Sequence, residues 1–311
     1  MSEQWIRHCR LVVANADGNG LDLSELKITF TITRADVRTP CAAIIRIYNL
    51  SSDTRSRIQR EFTQVYLTAG YNDNFGLIFS GGIKNFVRGR ENATDTYLDI
   101  QAADGDDPHN WATVSTTLAA GNTKADQYKA LLKGVEQFGV TYGYKPEFDD
   151  VQLPRGKVLW GMHRDRMDDL AGQCKATWQY SNGKLNMVPD NSYIPTDAVV
   201  LTSKTGMIGL PQQNLNGGIT VRCLINPNIQ IGSRVQIDNK SIQQAQIDVS
   251  YTAINQLPEI ADDGFYRVIC INHNGDTRGG PWYSDILCLA LNDAGPANTQ
   301  MVALEGMNGS S

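Results

Sequence analysis

The residues of this chain that could do chemistry begin with its four histidines, because histidine serves as a general base or a metal ligand near neutral pH. They are His8, His109, His163 and His273. A catalytic triad needs one of them beside a nucleophile, but no Gly-x-Ser-x-Gly motif occurs and no cysteine has a recognisable catalytic flank. His163-Arg-Asp165 matches the first letters of a kinase catalytic loop, without the glycine-rich loop or the Asp-Phe-Gly motif. We therefore interpret Asp165 as a favourable charge in the first turn of a helix.

The segment His273-Asn-Gly-Asp276 could supply part of a metal site, with Asp262-Asp263 nearby in sequence. A mononuclear site needs three or more converging ligands, and no other His or Cys has matching spacing. Asn-Gly-Asp also favours a turn, so we expect a turn between two strands that His273 closes by a hydrogen bond. The sequence thus predicts no catalytic, cofactor-binding or metal-binding residue, and no cofactor.

Adjacent acidic residues are a second candidate for chemistry. Glycosidases need two carboxylates across a cleft, usually from separate elements. Neighbouring side chains do not face each other on a helix, and they point to opposite faces of a strand. We therefore interpret these pairs as solvated turns. The pairs are Asp106-Asp107, Asp149-Asp150, Asp168-Asp169 and Asp262-Asp263.

The overall charge argues against a dedicated nucleic-acid binder, since the net charge is −5 and the pI is about 5.4. Small basic clusters at Arg34, Arg38 and Arg88-Gly-Arg90 are interpreted as charges at turn rims or as partner contacts. The six cysteines form no zinc spacing, and most lie in apolar runs. We expect them to be small buried side chains of a chain made in a reducing cytosol. They are Cys9, Cys41, Cys174, Cys223, Cys270 and Cys288.

Residues 1–105 are typical of antiparallel β structure, and we expect a small barrel or sandwich. Apolar and polar residues alternate from Leu26 to Thr33, which is the period of a half-buried strand. Ser51-Ser52-Asp53 offers N-cap candidates for a short helix from Thr54 to Glu61. The predicted strands are residues 10–14, 26–33, 43–49, 65–71, 76–83, 84–88 and 95–102.

The composition changes at Asp104-Gly-Asp-Asp-Pro108, which predicts a domain boundary. Residues 106–197 are predicted to be a mixed α/β domain with helices from Thr123 to Phe138 and from Met162 to Cys174. Ser181-Asn-Gly183 lies between two apolar runs, at 177–180 and 184–188, and predicts a hairpin.

Residues 198–294 return to β structure, with breaks at Pro211, Pro227 and Pro258. No strict sequence repeat relates the two β segments, but their similar size and strand spacing allow two copies of one fold. Residues 295–311 are expected to be a flexible C-terminal tail. No signal peptide or membrane span is visible, so we expect a soluble protein made in the cytoplasm, without stable membrane association. The predicted strands are residues 199–202, 218–224, 234–237, 247–251, 264–272 and 282–291.

Three groups of segments carry a family resemblance. The first comprises Ala69-Gly-Tyr71, Ile78-Phe-Ser-Gly81, residues 89–97 and Ile100-Gln-Ala-Ala-Asp104. The second comprises Thr205-Gly-Met-Ile-Gly-Leu-Pro211, Leu224-Ile-Asn-Pro227 and Ile231-Gly232, and the third Tyr266-Arg-Val268, residues 273–279 and Trp282. In order and spacing they resemble bacteriophage baseplate hub proteins of the tail-hub or late-control type. The helix and hairpin at 162–188 resemble the middle domain of that family.

The resemblance implies two tube-type antiparallel β-barrel domains flanking a mixed α/β domain, in a non-enzymatic, homotrimeric structural protein of the virion. Three chains then form a ring of six similar domains that adapts a six-fold tail tube to a three-fold central spike. The implied partners are the tail tube or distal tail protein on one side, the spike protein on the other, and other baseplate proteins. During genome ejection, DNA is implied to pass the lumen without specific binding. No spike or lysozyme domain is visible in the chain, so we expect a separate spike chain.

Two other functions stay open at this point. One is a cell-wall or glycan hydrolase within the tail tip, which needs a carboxylate pair across a cleft. The other is a carbohydrate-binding module for host adsorption, which needs coplanar exposed aromatic rings on one sheet face. We expect most of the aromatic residues to be core, and some to be interface anchors. Those near strand ends or in the middle domain are Trp111, Trp160, Trp178, Tyr180, Trp282 and Tyr283.

Overall fold

The computed structural model describes residues 6–15, 17–72, 74–214, 218–243, 260–261 and 263–290. The predicted mainly β fold with minor helices is confirmed. Buried apolar residues form three clusters, within residues 11–102, 112–187 and 201–290, and Ile225 and Trp282 join the first. The domain limits at residues 105 and 197 stay predictions. The predicted strand at 247–251, the break at Pro258 and the tail at 295–311 lie outside the described residues.

The first β segment follows the predicted strands closely. Ser51 caps the helix, since its hydroxyl accepts a hydrogen bond from the Thr54 amide at 3.1 Å. The two strands predicted at 76–83 and 84–88 are one long strand with a bulge between Ile83 and Asn85. The elements are β1 (Arg7–Ala14), β2 (Gly20–Asp22), β3 (Ile28–Ala35), β4 (Cys41–Tyr48), α1 (Ser52–Glu61), β5 (Gln64–Tyr71), β6 (Asn74–Arg90) and β7 (Thr96–Asp104).

The middle segment contains both predicted helices and the predicted hairpin. Thr123 and Asp126 form a capping box at the start of the first helix. Asn182 and Gly183 have φ of 50° and 72°, as a two-residue hairpin turn requires. A short helix and a two-stranded sheet were not predicted. The elements are α2 (Asp106–Trp111), β8 (Thr113–Leu118), α3 (Lys124–Val135), β9 (Thr141–Tyr142), β10 (Lys157–Met162), α4 (His163–Cys174), β11 (Ala176–Ser181) and β12 (Lys184–Pro189).

The second β segment corrects two predictions. His273-Asn-Gly-Asp276 is not a turn: it continues a strand, and the connection to the next strand follows at 277–281. Pro211 does not break the structure but lies within a strand, beside an irregularity between Ile208 and Gln212. The elements are β13 (Val199–Leu201), β14 (Met207–Gln213), β15 (Ile219–Leu224), β16 (Arg234–Ile237), β17 (Phe265–Asp276) and β18 (Trp282–Ala290).

The strands of both β segments join in one sheet, with the order β14-β15-β18-β17-β3-β4-β7-β6-β5-β1-β2, and with β16 on β17 and β13 on β16. The seam between the segments is an antiparallel pairing of β17 with β3, from Cys270 opposite Ala35 to Asp276 opposite Thr29. The middle segment has its own small sheets, β10-β8 and β11-β12-β9.

The second segment repeats the strand pairing of the first. In the first, β3-β4-β7-β6 are neighbours, and β5 pairs with the N-terminal half of β6. In the second, β14-β15-β18-β17 are neighbours, and β16 pairs with the N-terminal end of β17. The consecutive hairpins β3-β4 and β6-β7 thus correspond to β14-β15 and β17-β18. The chain therefore contains two copies of one strand arrangement, joined edge to edge at the seam.

Candidate functional site

A buried ion pair joins all three segments. Arg267 on β17 binds Asp36, which follows β3, and both side chains are 5% exposed or less. Thr177 on β11 donates a hydrogen bond to the same Asp36 oxygen at 3.0 Å and accepts one from Arg267 at 2.8 Å. The other guanidinium nitrogen donates to the Pro189 carbonyl at 2.7 Å. These hydrogen bonds offset part of the cost of burying the pair, although Asp36 Oδ1 and Arg267 Nε have no hydrogen-bond partner in the described structure.

A second buried pair, Arg34 with Asp104, fixes the hairpin of the middle segment to β3. The guanidinium donates to the Ser181 hydroxyl at 2.8 Å and to the Ile78 carbonyl at 3.0 Å. Asp104 accepts hydrogen bonds from the backbone amides of the hairpin turn, at Asn182 and Gly183. Burial raises the pKa of Asp104, while Arg34 opposes that rise. The predicted turn-rim charge at Arg34 is therefore wrong, because this side chain is part of the interior.

The solvent-facing side of the sheet carries a different pattern of charge. Alternate residues of β14, β15, β18, β17, β3, β4, β7 and the second half of β6 point away from the apolar clusters. We call this surface the paired-charge face. Its side chains are hydroxyls, amides, carboxylates and two arginines that are both paired, together with apolar residues. The apolar residues include Ile44 and Val87 in the first copy and Ile208, Leu287 and Leu289 in the second. They include Thr29, Thr31, Thr33, Ile44, Arg46, Asn85, Val87, Tyr97, Asp99, Gln101, Arg222, Asn272, Asn274, Asp276, Tyr283 and Asp285.

The first arginine, Arg46 on β4, lies directly opposite Asp99 on β7. Two parallel hydrogen bonds join them, from Nε at 2.7 Å and from Nη2 at 3.0 Å. The guanidinium also stacks on the Tyr97 ring, 3.8 Å from its centroid. Hydrogen bonding to Asp99 raises the pKa of Arg46. The guanidinium fork is thus satisfied by one carboxylate and one aromatic ring.

The second arginine repeats this arrangement at the equivalent place. Arg222 on β15 lies opposite Asp285 on β18, with hydrogen bonds at 2.6 and 3.0 Å. Its guanidinium lies 4.2 Å from the centroid of the Tyr283 ring. β15 and β18 correspond to β4 and β7, and in both copies the tyrosine precedes the aspartate by two residues. We call each set an Arg–Asp–Tyr cluster.

A groove of about 320 Å³ lies on the same face at the seam, between the two clusters. Arg46 of the first cluster and Tyr283 of the second both line it. Thr31 of β3 and Asn274 of β17 form its floor, with their side-chain oxygens 3.2 Å apart. The face is therefore hollowed where the two copies meet.

Two of the histidines singled out in the sequence are buried within the structure. His163 is the first residue of α4, and its Nδ1 lies 3.1 Å from the Tyr180 hydroxyl. His273 faces the core with Nδ1 2.7 Å from the Ser284 hydroxyl. Within the described ranges, no three His, Cys, Asp or Glu side chains come together as metal ligands. The structure thus places both histidines in hydrogen-bonded interior positions.

Their burial predicts a loss of stability on acidification. It lowers the pKa of His163 to about 4 and that of His273 to about 3. Between those values and an ordinary pKa of about 6.5, the unfolded chain binds protons that the native chain does not, so the free energy of unfolding falls with pH. We expect about 1.4 kcal/mol per pH unit for each histidine between about pH 6 and pH 4.

Urea denaturation at several pH values measures this slope. His273→Asn keeps an amide beside Ser284 and removes one titrating group, so about half of the histidine slope should remain. The raised pKa of Asp104 acts in the opposite direction, because that carboxyl is protonated earlier in the native state. An unchanged slope in His273→Asn would contradict the assignment.

In each adjacent acidic pair, at least one carboxylate makes an ion pair or a hydrogen bond. Lys84 binds both Asp106 and Asp107, Lys124 binds Asp149, and Arg166 binds Asp169. Asp168 accepts hydrogen bonds from Arg38 and from the Trp178 ring. Asp263 caps the Phe265 amide, and Asp262 lies outside the described residues.

The remaining candidate residues divide between surface and core. Arg88 and Arg90 are exposed on β6. All six cysteines are free; Cys9 and Cys174 are half-buried and the other four are buried. Trp111 and Trp160 are more than 70% exposed, whereas Trp178, Tyr180 and Trp282 are buried. No helix in the described ranges is long and apolar enough to cross a membrane.

Neither Arg–Asp–Tyr cluster was found from the sequence. Arg46 and Asp99 are far apart along the chain, as are Arg222 and Asp285, so no local spacing marks them. The local signal is the Tyr-x-Asp pattern at 97–99 and at 283–285, which also occurs at 71–73 and so does not mark the two sites by itself. That pattern acquires meaning only when the strand pairing shows the two sites to be equivalent.

No family model matches this sequence, and no curated protein matches it. Solved structures do. The prophage MuSo2 43 kDa tail protein from Shewanella oneidensis is 9% identical, with a TM-score of 0.58, over 92% of this chain and 99% of that one. The tail protein from Neisseria meningitidis MC58 is 8% identical, with a TM-score of 0.55, over 91% and 96%.

A third solved structure widens the comparison beyond phages. The E. coli c3393 protein, described as a type VI secretion system component with structural similarity to bacteriophage tail proteins, is 9% identical. Its TM-score is 0.53, over 87% of this chain and 76% of that one. At such identities the likeness is one of fold. The chain has the fold of phage tail proteins over nearly its whole length.

Proposed function

We propose that this chain is a non-enzymatic structural component of a phage tail, the trimeric baseplate hub that joins the six-fold tube to the three-fold spike. The observation that carries the proposal is the duplicated strand arrangement, joined edge to edge within one chain. Three such chains supply six equivalent units, which is the number that a six-fold tube needs. The fold shared with phage tail proteins supports the same function.

The open edge of β6 supports assembly into a ring. The C-terminal half of β17 pairs with β3. In the described residues, no strand pairs with the corresponding edge of residues 84–90 in β6. An unpaired strand edge is a template for another chain. In the second copy, the strand equivalent to β3 is β14. We therefore infer that β14 of a second chain pairs with this edge of β6. Gln212 of β14 already bridges to Gln243 of its own chain, so the contact uses the rest of the β14 edge.

The other partners follow from this position. The tail tube or distal tail protein contacts the ring on one side, the separate spike protein contacts it on the other, and further baseplate proteins surround it. The protein then resides in the virion after synthesis in the host cytoplasm. The rival hydrolase has less support, because each adjacent acidic pair that the structure describes in full has at least one carboxylate held by an ion pair or a hydrogen bond.

Mass measurement of the purified chain, alone and mixed with its tube and spike proteins, tests the trimer. We expect a trimer at working concentration or on the spike. A monomer under all of these conditions would contradict the proposal. Wall-degrading activity that an acid-to-amide change abolishes would favour the hydrolase instead.

A proline on the β6 edge tests the proposed contact. The Glu91 amide bonds to the Asp95 carbonyl, so by alternation the amide of Arg88 points away from β7. Arg88→Pro removes that outward donor without removing a bond to β7, and prolines are tolerated on edge strands. We expect a folded monomer that no longer assembles, whereas Arg88→Ala should still form trimers. Normal assembly of Arg88→Pro would show that this edge is not the contact.

A further inference from the structure

We propose that the paired-charge face lines the channel of the ring, and that the two Arg–Asp–Tyr clusters prevent its arginines from holding the DNA that passes. This inference rests on the proposed ring of three chains. It adds which strands face the lumen, and how their cations are kept from phosphate. With two clusters in each chain, six would surround the channel at equivalent positions.

The direction of the face follows from what covers the opposite side. The apolar clusters lie behind the sheet, where they pack against Ile28, Phe30 and Ile32 of β3. Arg34 continues that row and reaches Ser181 of the middle segment. The bulk of the chain therefore lies on that side of β3. When edge-joined sheets close into a ring, the side that no other layer covers turns inward, and the groove at the seam lies on that side.

The chemistry of the face suits passage of a polyanion. Duplex DNA binds proteins mainly through phosphate contacts to unpaired Arg and Lys. Here each guanidinium already gives two hydrogen bonds to a carboxylate and stacks on a tyrosine ring. A phosphate would have to displace that carboxylate to bind. Lys27, at the border of the face, stacks on the Tyr48 ring.

The middle of the face is neutral and polar, and the uncharged side chains Ile44 and Val87 on one side and Ile208, Leu287 and Leu289 on the other flank it. Thr29, Thr31 and Thr33 on β3 and the amides of Asn272 and Asn274 on β17 occupy the middle of the face. These groups hydrogen-bond to water and carry no charge. DNA therefore meets six compensated cations and a hydroxyl-lined seam, without a continuous basic track.

Thiol labelling tests the direction of the face separately from ring formation. Thr31→Cys places a thiol in the middle of the face, and Ser56→Cys places one on exposed α1. In the ring, we expect a small maleimide to label both, but a maleimide on a large polymer to label only Ser56→Cys. In the monomer, the large reagent should label both. Mass measurement first establishes that the ring forms; absence of a ring counts against the proposed function, whereas full labelling of Thr31→Cys in an intact ring overturns this inference.

Removal of the carboxylates tests the role of the clusters. Asp99→Asn/Asp285→Asn frees both arginines, and Glu61→Gln/Asp169→Asn gives the same charge change at ion pairs on α1 and α4. We expect the first variant ring to bind a short duplex DNA about tenfold more tightly than wild type, with a steeper salt dependence. The control variant should change affinity less than about threefold, because its freed arginines do not converge on the channel.

Unchanged DNA affinity in the first variant, or an equal gain in the control, would overturn the role assigned to the clusters. Asp99 is only 8% exposed, so its replacement also tests the packing of the first segment. Asp285→Asn alone provides the second variant, since its side chain is 26% exposed. It should give a smaller gain of the same sign.

Discussion

Asp36→Asn is expected to destabilise the native state by about 3–5 kcal/mol, the cost of leaving one buried partner of an ion pair without its counter-charge. Asp36 is the only carboxylate that the described structure places on the Arg267 guanidinium, and both side chains are almost fully buried. The amide that replaces it keeps the shape but not the charge. Because the pair joins β3, β17 and β11, the loss should loosen all three segments together.

Urea denaturation and hydrogen exchange measure this effect. Arg267→Met should cost a similar amount, and the double variant should cost much less than the sum, because neither charge is then left alone in the interior. Glu61→Gln is the matched control: it removes an exposed pair with Arg57 and should change stability by less than about 0.5 kcal/mol. A change below about 1 kcal/mol in Asp36→Asn would mean that water or a rearranged side chain reaches Arg267.

Local sequence patterns predicted the elements whose structure is determined by residues close together in the chain. β3 alternates apolar and polar side chains, and the structure buries the apolar set. Thr123 and Asn182-Gly183 specify a helix start and a hairpin through their own backbone chemistry. In these places sequence and structure agree because the deciding interactions lie within a few residues.

The elements that local patterns missed depend on pairing between strands that are far apart in the sequence. Gly209 and Pro211 disfavour a strand locally, but β14 forms because β15 pairs with it on both sides of an irregularity. His273-Asn-Gly-Asp276 has the composition of a turn, but β3 and β18 hold it as a strand from both edges. Tertiary pairing overrides local preference at such positions. The duplication was not detectable in the sequence, because the two copies share strand order and one small cluster but little sequence.

The seam fixes the orientation of the two copies relative to each other. If the two units of one chain are to act as neighbours in a ring of six, the angle between them must be fixed. The pairing of β17 with β3 supplies that constraint through seven residue pairs, from Cys270 with Ala35 to Asp276 with Thr29. A single side chain that forces these strands apart should therefore affect both stability and assembly.

Gly275→Val is expected to do so, with a destabilisation of about 3 kcal/mol, at the upper end of the cost of overpacking a core. Gly275 lies opposite Phe30 across the seam and opposite Trp282 in the hairpin. A Cβ at this position would come within 2.2 Å of the Phe30 ring, which covers the glycine and packs edge-on against Trp282 with centroids 5.5 Å apart. The ring must leave its place, and the strands must separate.

Two comparisons identify the seam as the cause. Gly280 has no atom within 4 Å of an added Cβ, so Gly280→Val should leave the unfolding midpoint and the mass of the assembled protein unchanged. Phe30→Leu removes the clashing ring atoms, so it should restore more than half of the stability lost in Gly275→Val. We expect Gly275→Val itself to fold at low temperature yet to fail to form the ring with its spike partner, because the two units no longer meet at the angle that closure requires. Retention of full stability and normal assembly in Gly275→Val would show that the seam tolerates a side chain and that the angle is set elsewhere.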